Sequence, residues 1–249
     1  MILYSNAKIN IGLNILSKRA DGYHNISSIF YPVFDCFDII EIIESDNFLF
    51  TTSGIEIPGK NNLCKDAYNT LKLLHNIPPV HIHLHKMIPI GSGLGGGSSN
   101  ASFVLKGLNE MFNLKLSSKN LEKISLGIGA DCPFFIDNEP KIVSGIGEIM
   151  NKIDLDLSNY SIRLFHSNIH ISTIDTFSNI DLDSQIQNLN QSINLNVESW
   201  KGRIKNDFEK YIFRKHSQLE KAKERFYSDG ALYASMTGTG STIYGIFNK

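Results

Sequence analysis

An α+β fold in two parts is predicted by two observations. Strand-like alternation fills roughly the first fifty residues ahead of helical spacing, and a polar, turn-rich stretch, NKIDLDLSNY, separates this region from a second mixed segment. The expected domains are therefore 1–155, carrying a glycine-rich loop, and 156–249. Residues 7–16 and 26–34 are rich in Ile, Val and Phe and flank the polar turn RADGYHN, so they read as two strands. After a turn at DCFD, the runs IIEII and FLFTT read as two more. LCKDAYNTLKLLHN has helical spacing in Leu63, Ala67, Leu71 and Leu74, and VHIHLH returns to an extended pattern. Beyond the loop, Ser98 or Ser99 is expected to cap a helix whose apolar residues Ala101, Val104, Leu105 and Leu108 recur at helical intervals. SSKNLEKISLGIG is a further helix with a serine cap and a glycine end. In the second part SIRLFHS is a strand, 172–227 is mostly helical, and ALYASM and STIYGIF are strands bracketing the turn TGTG. The Asn, Gln and Ser-rich stretch 179–199 resists assignment.

Composition narrows the partners. Twenty-four Lys and Arg against twenty-five Asp and Glu leave no global field to draw nucleic acid or an anionic membrane. An acidic ligand must be held by a local site. Cys36, Cys64 and Cys132 are widely spaced without a CxxC pair, as expected of reduced, buried thiols. The N-terminus lacks the pattern of a signal peptide and no apolar run is long enough to span a bilayer, so a cytoplasmic protein is expected.

The stretch IPIGSGLGGGSSNA, 88–101, carries five glycines. Gly91, Gly93 and Gly96 fit GxGxxG, but a dinucleotide fold would place that motif in an early βαβ unit with an acid about twenty residues on. Here the nearest acid, Glu110, lies inside the following helix pattern. A Walker loop fails too, since no lysine precedes Ser98 or Ser99. What remains is close-approaching backbone, a helix N-terminus and hydroxyls suited to phosphate. Phosphoryl transfer further needs an oriented acceptor hydroxyl and charge neutralisation. AKIN puts Lys8 and Asn10 on one face of a strand, and LGIGADCPFF puts Asp131 after a glycine turn at a helix start. Taken singly, Lys8 reads as a solvated charge and Asp131 as a helix cap. His81, His83 and His85 share a strand face and could bind a metal in principle, but they come without a carboxylate or cysteine cluster. Val80, Ile82 and Leu84 opposite them explain the alternation as a half-buried strand.

Lys8 in AKIN, the glycine loop, Asp131 in GADCPFF and MTGTGST near the C-terminus resemble, in order and spacing, the motifs of the GHMP small-molecule kinases. RADGYHNISSIF further resembles the substrate-side motif of the branch that phosphorylates a cytidine diphosphate bearing methylerythritol, in the non-mevalonate route to isoprenoid precursors. The resemblance implies a ribosomal protein S5 domain 2-like N-terminal domain, a ferredoxin-like C-terminal domain and an active site in the cleft between them. The C-terminal domain is expected to be shortened, because the chain stops at STIYGIFNK where the family continues with a helix and a strand. ATP is implied as phosphoryl donor, with Mg²⁺ bound mainly through it. Lys86, Pro89, Ile90, Gly91, Ser92, Gly93, Leu94, Gly95, Gly96, Gly97, Ser98 and Ser99 match its binding residues. Asp131 matches the catalytic aspartate and Lys8 its partner lysine. Tyr23 and His24 match the cytosine-reading pair, with Asn10 and Lys8 alongside and Phe177 as a second aromatic. Around Phe177 the chain departs from the family, having Ser167, Asn168 and Ser172 where Pro, Gly and Pro are usual. Gly238, Thr239 and Gly240 match the turn that supports the phosphate loop, where Thr237 and Thr239 can add hydroxyls. Read without the resemblance, Lys86 is equally a surface charge. Two rivals remain: a homoserine or mevalonate type of GHMP kinase, which fails on RADGYHN, and a binding-only relative, which the presence of both Lys8 and Asp131 opposes.

Overall fold

The computed structural model describes residues 1–59, 61–180 and 189–249. They form two compact units, each drawn from separated stretches. The first is Met1–Lys8, Pro32–Ile90 and Gly95–Glu139, and the second is Ile9–Tyr31, Gly91–Leu94 and Pro140–Lys249. Two long paired strands, β1 (Ile2–Lys18) and β2 (His24–Glu44), run through both.

In the first unit the end of β2 pairs antiparallel with β4 (Val80–Lys86), Ile39 opposite His85, while β3 (Leu49–Gly54) pairs parallel with β4. The helices are α1 (Leu63–His75), α2 (Gly96–Met111), α3 (Ser118–Leu126) and α4 (Cys132–Asp137). Period two puts Ile40, Ile42, Val80, Ile82 and Leu84 on one sheet face, against Cys64, Ala67, Tyr68 and Leu71 of α1 and Ala101, Val104, Leu105 and Leu108 of α2. Each such Leu or Ile, fully buried, contributes about 1.5–3 kcal/mol. Leu74, expected on this stripe, is exposed instead. Gly107 lets α2 lie close on the sheet, since a Cβ there would meet Leu3 and Ile42. On the other face of β4 the three imidazoles alternate with hydroxyls: Thr51 Oγ1 lies 2.8 Å from His81 and His83, and Ser53 Oγ 2.9 Å from His83 and His85.

In the second unit the start of β2 pairs antiparallel with β5 (Lys141–Gly145), which pairs with β6 (Ile149–Lys152). A separate antiparallel sheet has the order β7 (Tyr160–Phe165), β9 (Ile243–Asn248), β8 (Tyr233–Met236). The helices are α5 (Thr173–Ser178), α6 (Leu189–Ser192), α7 (Glu209–Lys215) and α8 (Ser217–Ser228). Leu13, Ile15 and Ile26 pack with Phe208, Ile212, Leu219, Met236 and Ile243. Of the unassigned stretch 179–199, α6 and a 3-10 turn at Val197–Ser199 are described and 181–188 lie outside the described residues.

Two local expectations are corrected. DCFD is no turn, because β2 continues through it: Asp38 is wholly buried and spends its carboxylate on internal hydrogen bonds. Neither Ser98 nor Ser99 caps α2. The cap is Gly95, in the left-handed region at φ 70° and with no side-chain bond to offer, and both serines fall inside the first turn.

Candidate active site

In the first unit, Lys8 is 4% exposed on β1, and its ammonium lies 3.5 Å from Asp131 Oδ2. Asp131 does sit at the start of α4, but its side chain makes no capping bond. The plain helix-cap reading therefore fails, and so does the solvated-charge reading of Lys8. Burial lowers the Lys8 pKa, while the charge and hydrogen bond of Asp131 act to raise it. The pair is held in place by fastenings between α2 and α4: Ser102 Oγ lies 2.8 Å from the Cys132 carbonyl and Lys106 Nζ donates to the Phe135 carbonyl at 2.8 Å.

The end of the glycine loop packs onto this pair. A Cβ on Gly95 would press on Lys8 Cγ and Cε at 3.2 Å and on Phe135 Cζ at 3.1 Å, and the residue's left-handed φ of 70° independently favours glycine there. With a glycine cap and no acid in its first turn, α2 presents its leading N–H groups and positive dipole end uncompensated by side chains. Ser98 is half-buried in this turn, and a Cβ on Gly129 would come within 3.6 Å of its Oγ. Ser99 is wholly buried and its hydroxyl has no hydrogen-bond partner among the described residues.

Lys86 is not a surface charge. It is 4% exposed, and its ammonium donates to Asp38 Oδ2 at 2.5 Å and Asn100 Oδ1 at 3.2 Å. Neither partner stood out in the sequence. Asp38, the last residue of DCFD, has the local look of a turn former, and the run IIEII that follows it is the signal that the strand extends this far.

In the second unit, Gly93 of the loop lies against the TGTG turn. It has φ 80°, and a Cβ there would collide with the Thr237 carbonyl, so only a glycine fits. Thr237 is wholly buried. Its hydroxyl accepts the Asn10 N–H at 3.0 Å and lies 3.2 Å from Asn10 Oδ1 and 3.1 Å from the Gly93 carbonyl. That hydroxyl is engaged inside the protein, which corrects the expectation that it faces a phosphate. Asn206 Nδ2 donates to the carbonyls of Met236 and Gly238 and so holds the turn. Thr239 is half-buried, with its hydroxyl 3.3 Å from that of Thr173. Pro89 and Ile90 precede this part of the loop, Ser92 is buried within it, and a Cβ on Gly91 would lie 3.5 Å from His170 Nδ1.

Asn10, 2% exposed, donates from Nδ2 to Ser28 Oγ at 2.9 Å, and its carbonyl accepts the Tyr244 hydroxyl. His24 opens β2 and is 7% exposed, and its ring centroid lies 5.3 Å from that of Phe177 with a tilt of 33°. Burial first, then the Lys18 charge, lower the His24 pKa, which keeps the imidazole neutral at pH 7. Phe177 is braced edge-on by Phe208 at 4.8 Å. Ser172 caps α5 by accepting the Asp175 N–H, which gives the short helix that carries Phe177 its start. Tyr23 is not gathered into this group. The residue is 61% exposed beyond a turn locked by Arg19 and Asp21.

Chemically, the first unit offers a carboxylate paired to a buried ammonium beside a helix end suited to a polyanion. The second offers two facing rings and a buried amide. Among the described residues no group of three or more His, Cys, Asp or Glu converges as a metal site, and no helix is long and apolar enough to cross a membrane.

Comparison with known proteins identifies the family. Residues 62–138 match the GHMP kinases N terminal domain and 179–249 the GHMP kinases C terminal domain. A 4-diphosphocytidyl-2-C-methyl-D-erythritol kinase of Azobacteroides pseudotrichonymphae is 46% identical over 100% of this chain and 94% of the relative. One from Parabacteroides distasonis is 45% identical over 100% and 92%. A crystal structure of 4-(cytidine 5'-diphospho)-2C-methyl-D-erythritol kinase superposes with TM-score 0.85 at 25% identity, over 99% of this chain and 90% of that one. The mevalonate kinase of Methanococcus jannaschii, at TM-score 0.64 and 19% identity over 100% and 90%, shares the fold.

Proposed function

The chain belongs to the GHMP kinase family, and from that premise we propose the reaction it carries out: ATP-dependent phosphorylation of a hydroxyl of 4-diphosphocytidyl-2-C-methyl-D-erythritol, giving the 2-phosphate and ADP. The observation that carries the chemical part is the Lys8–Asp131 pair at 3.5 Å, with Gly95 and the open end of α2 packed onto it. In this reading Asp131 orients the acceptor hydroxyl and takes its proton as the oxygen attacks the γ-phosphorus. The bond to the β,γ-bridging oxygen breaks and ADP leaves with the electron pair. Lys8 polarises the hydroxyl and offsets charge on the transferring group. The loop amides from Gly91 to Gly97 and the Ser98 hydroxyl hold the phosphates, with Lys86 shaping the cradle from below. His24 hydrogen-bonds the edge of the cytosine, Phe177 stacks on its face, Tyr23 contributes from the exposed turn, and Asn10, whose amide engages Ser28 and Thr237, supports the acceptor site from within.

Mg²⁺ fits this donor set as a cation carried by the phosphates, since the first turn of α2 offers the Ser98 hydroxyl and no carboxylate. When bound it neutralises charge on the β- and γ-oxygens. A division near residue 155 lies in the gap between the two family matches, although the compact units change over already at 139/140 and the second also takes in 9–31 and 91–94; a cytoplasmic monomer or weak homodimer completes the reading.

The test is an ADP-release assay on the purified protein with the cytidyl substrate, alongside homoserine and mevalonate. Turnover with the first alone is expected. A folded protein that consumes no ATP with it would overturn the reading.

A further inference from the structure

We propose that Asp38 is a positioning residue for nucleotide binding, joining the two ends of the glycine loop through one buried carboxylate. The inference rests on the reading of 89–99 as the cradle for the phosphates of ATP. Oδ1 of Asp38 accepts the backbone N–H groups of Met87 and Ile88, each at 2.7 Å, immediately before the loop. Oδ2 accepts Lys86 Nζ at 2.5 Å and Asn100 Nδ2 at 2.8 Å, the latter immediately after the loop's serines. Asn100 is tied in further by its bond to Ser5 Oγ at 2.8 Å. A Cβ on Gly96 would stand 2.8 Å from Lys86 Nζ, which puts this clasp directly beneath the first residue of α2.

A carboxylate has about four lone-pair sites, and all four are taken here in a place that is 0% exposed. Such a group has no capacity left for chemistry. What it sets is geometry. Gly91, Gly93 and Gly95 all have positive φ and lack side chains, so the loop has little of its own to fix its span. One carboxylate that grips the strand exit and the helix entry supplies the missing constraint. The amides of the cradle then keep the spacing that phosphate oxygens require, without any contact between Asp38 and ATP.

The experiment is steady-state kinetics on the full chain with ATP and the cytidyl acceptor varied separately, for Asp38→Ala, Asp38→Asn and Asn100→Ala, each checked for folding by circular dichroism. Charge-assisted bonds of this kind are strong enough for Asp38→Ala to raise the ATP KM about tenfold or more, with the acceptor KM held within about twofold. Asp38→Asn, which keeps an oxygen facing the two amides, is expected to fall between it and the parent. Asn100→Ala keeps the Asp38–Lys86 charge pair intact, so it leaves no buried charge uncompensated, and it decides the matter if Asp38→Ala does not fold. It is expected to raise the ATP KM about threefold or more. A folded variant whose ATP KM is unchanged, or whose two KM values rise together as general loosening would make them, overturns the inference. A parent protein without saturable ATP turnover would instead refute the phosphate-cradle reading beneath it.

Discussion

Replacing Asp131 by Asn keeps the shape of the side chain and removes both its charge and its capacity to take a proton. At 3.5 Å from the Lys8 ammonium, the lost attraction is about 5 kcal/mol at an effective dielectric of about 20 and about 1 kcal/mol in bulk water. Asp131 is 32% exposed and Lys8 4%, so the true figure lies between these limits. On the reaction itself, losing a positioned base costs on the order of 10²–10⁴ in rate, about 3–5 kcal/mol of barrier. The expected outcome is a folded variant with kcat reduced by that factor and with the ATP KM nearly unchanged, because the loop amides are untouched. A second signature follows from the buried lysine. Desolvation already lowers its pKa and Asp131 is what opposes that, so the Lys8 ammonium titrates at a lower pH in the variant, as nuclear magnetic resonance of its side chain would report. A folded Asp131→Asn protein that keeps a tenth or more of the parent kcat would refute the assignment.

Phe177→Ala removes a stacking face worth about 1–3 kcal/mol, so cytidine diphosphate should bind about 5- to 150-fold more weakly by titration calorimetry while ATP binds as before. Because His24 has a lowered pKa, the acceptor KM is expected to stay flat above pH 6.5 and rise only as pH falls through the folded value. The same linkage makes this histidine's contribution to stability present above the unfolded pKa and lost on acidification; a KM that climbs already above pH 7 would contradict it. Gly95→Ala combines a left-handed φ, costing about 1–3 kcal/mol, with a methyl pressed on Lys8, and should lower kcat more than it raises the acceptor KM. Thr237→Val strands the buried Asn10 N–H, at a cost of about 1–3 kcal/mol in thermal or denaturant unfolding, and should also raise the acceptor KM.

Some of this was legible in the sequence because it is periodic. The alternation in VHIHLH separates Val80, Ile82 and Leu84, all buried, from histidines that face hydroxyls, and AKIN placed Lys8 and Asn10 correctly on one strand. Motif spacing singles out Asp131 and the loop as candidates. What stayed hidden depends on three-dimensional partners. Asp38 has the local look of a turn residue, and only burial beside Lys86 makes it a strand residue. Ser98 is a better cap than glycine by propensity, yet the tight approach of Gly95 to Lys8 and Phe135 decides where α2 begins. Thr237 offered a hydroxyl whose direction no spacing rule could give.

The sharing of β1 and β2 between the two units bears on how such a chain can be recombined. Leu13 and Ile15 of β1 and Ile26 of β2 are packed among residues as distant in sequence as Phe208, Met236 and Ile243. A chimera that takes everything after residue 155 from a relative would pack a foreign half-core on native strands. Cassette exchange therefore has to include 9–31, 91–94 and 140–155, the other pieces of the second unit, and a single crossover cannot deliver that set. Libraries built from this scaffold should diversify by substitution within a unit, or by three-segment grafting, before any end-to-end swap.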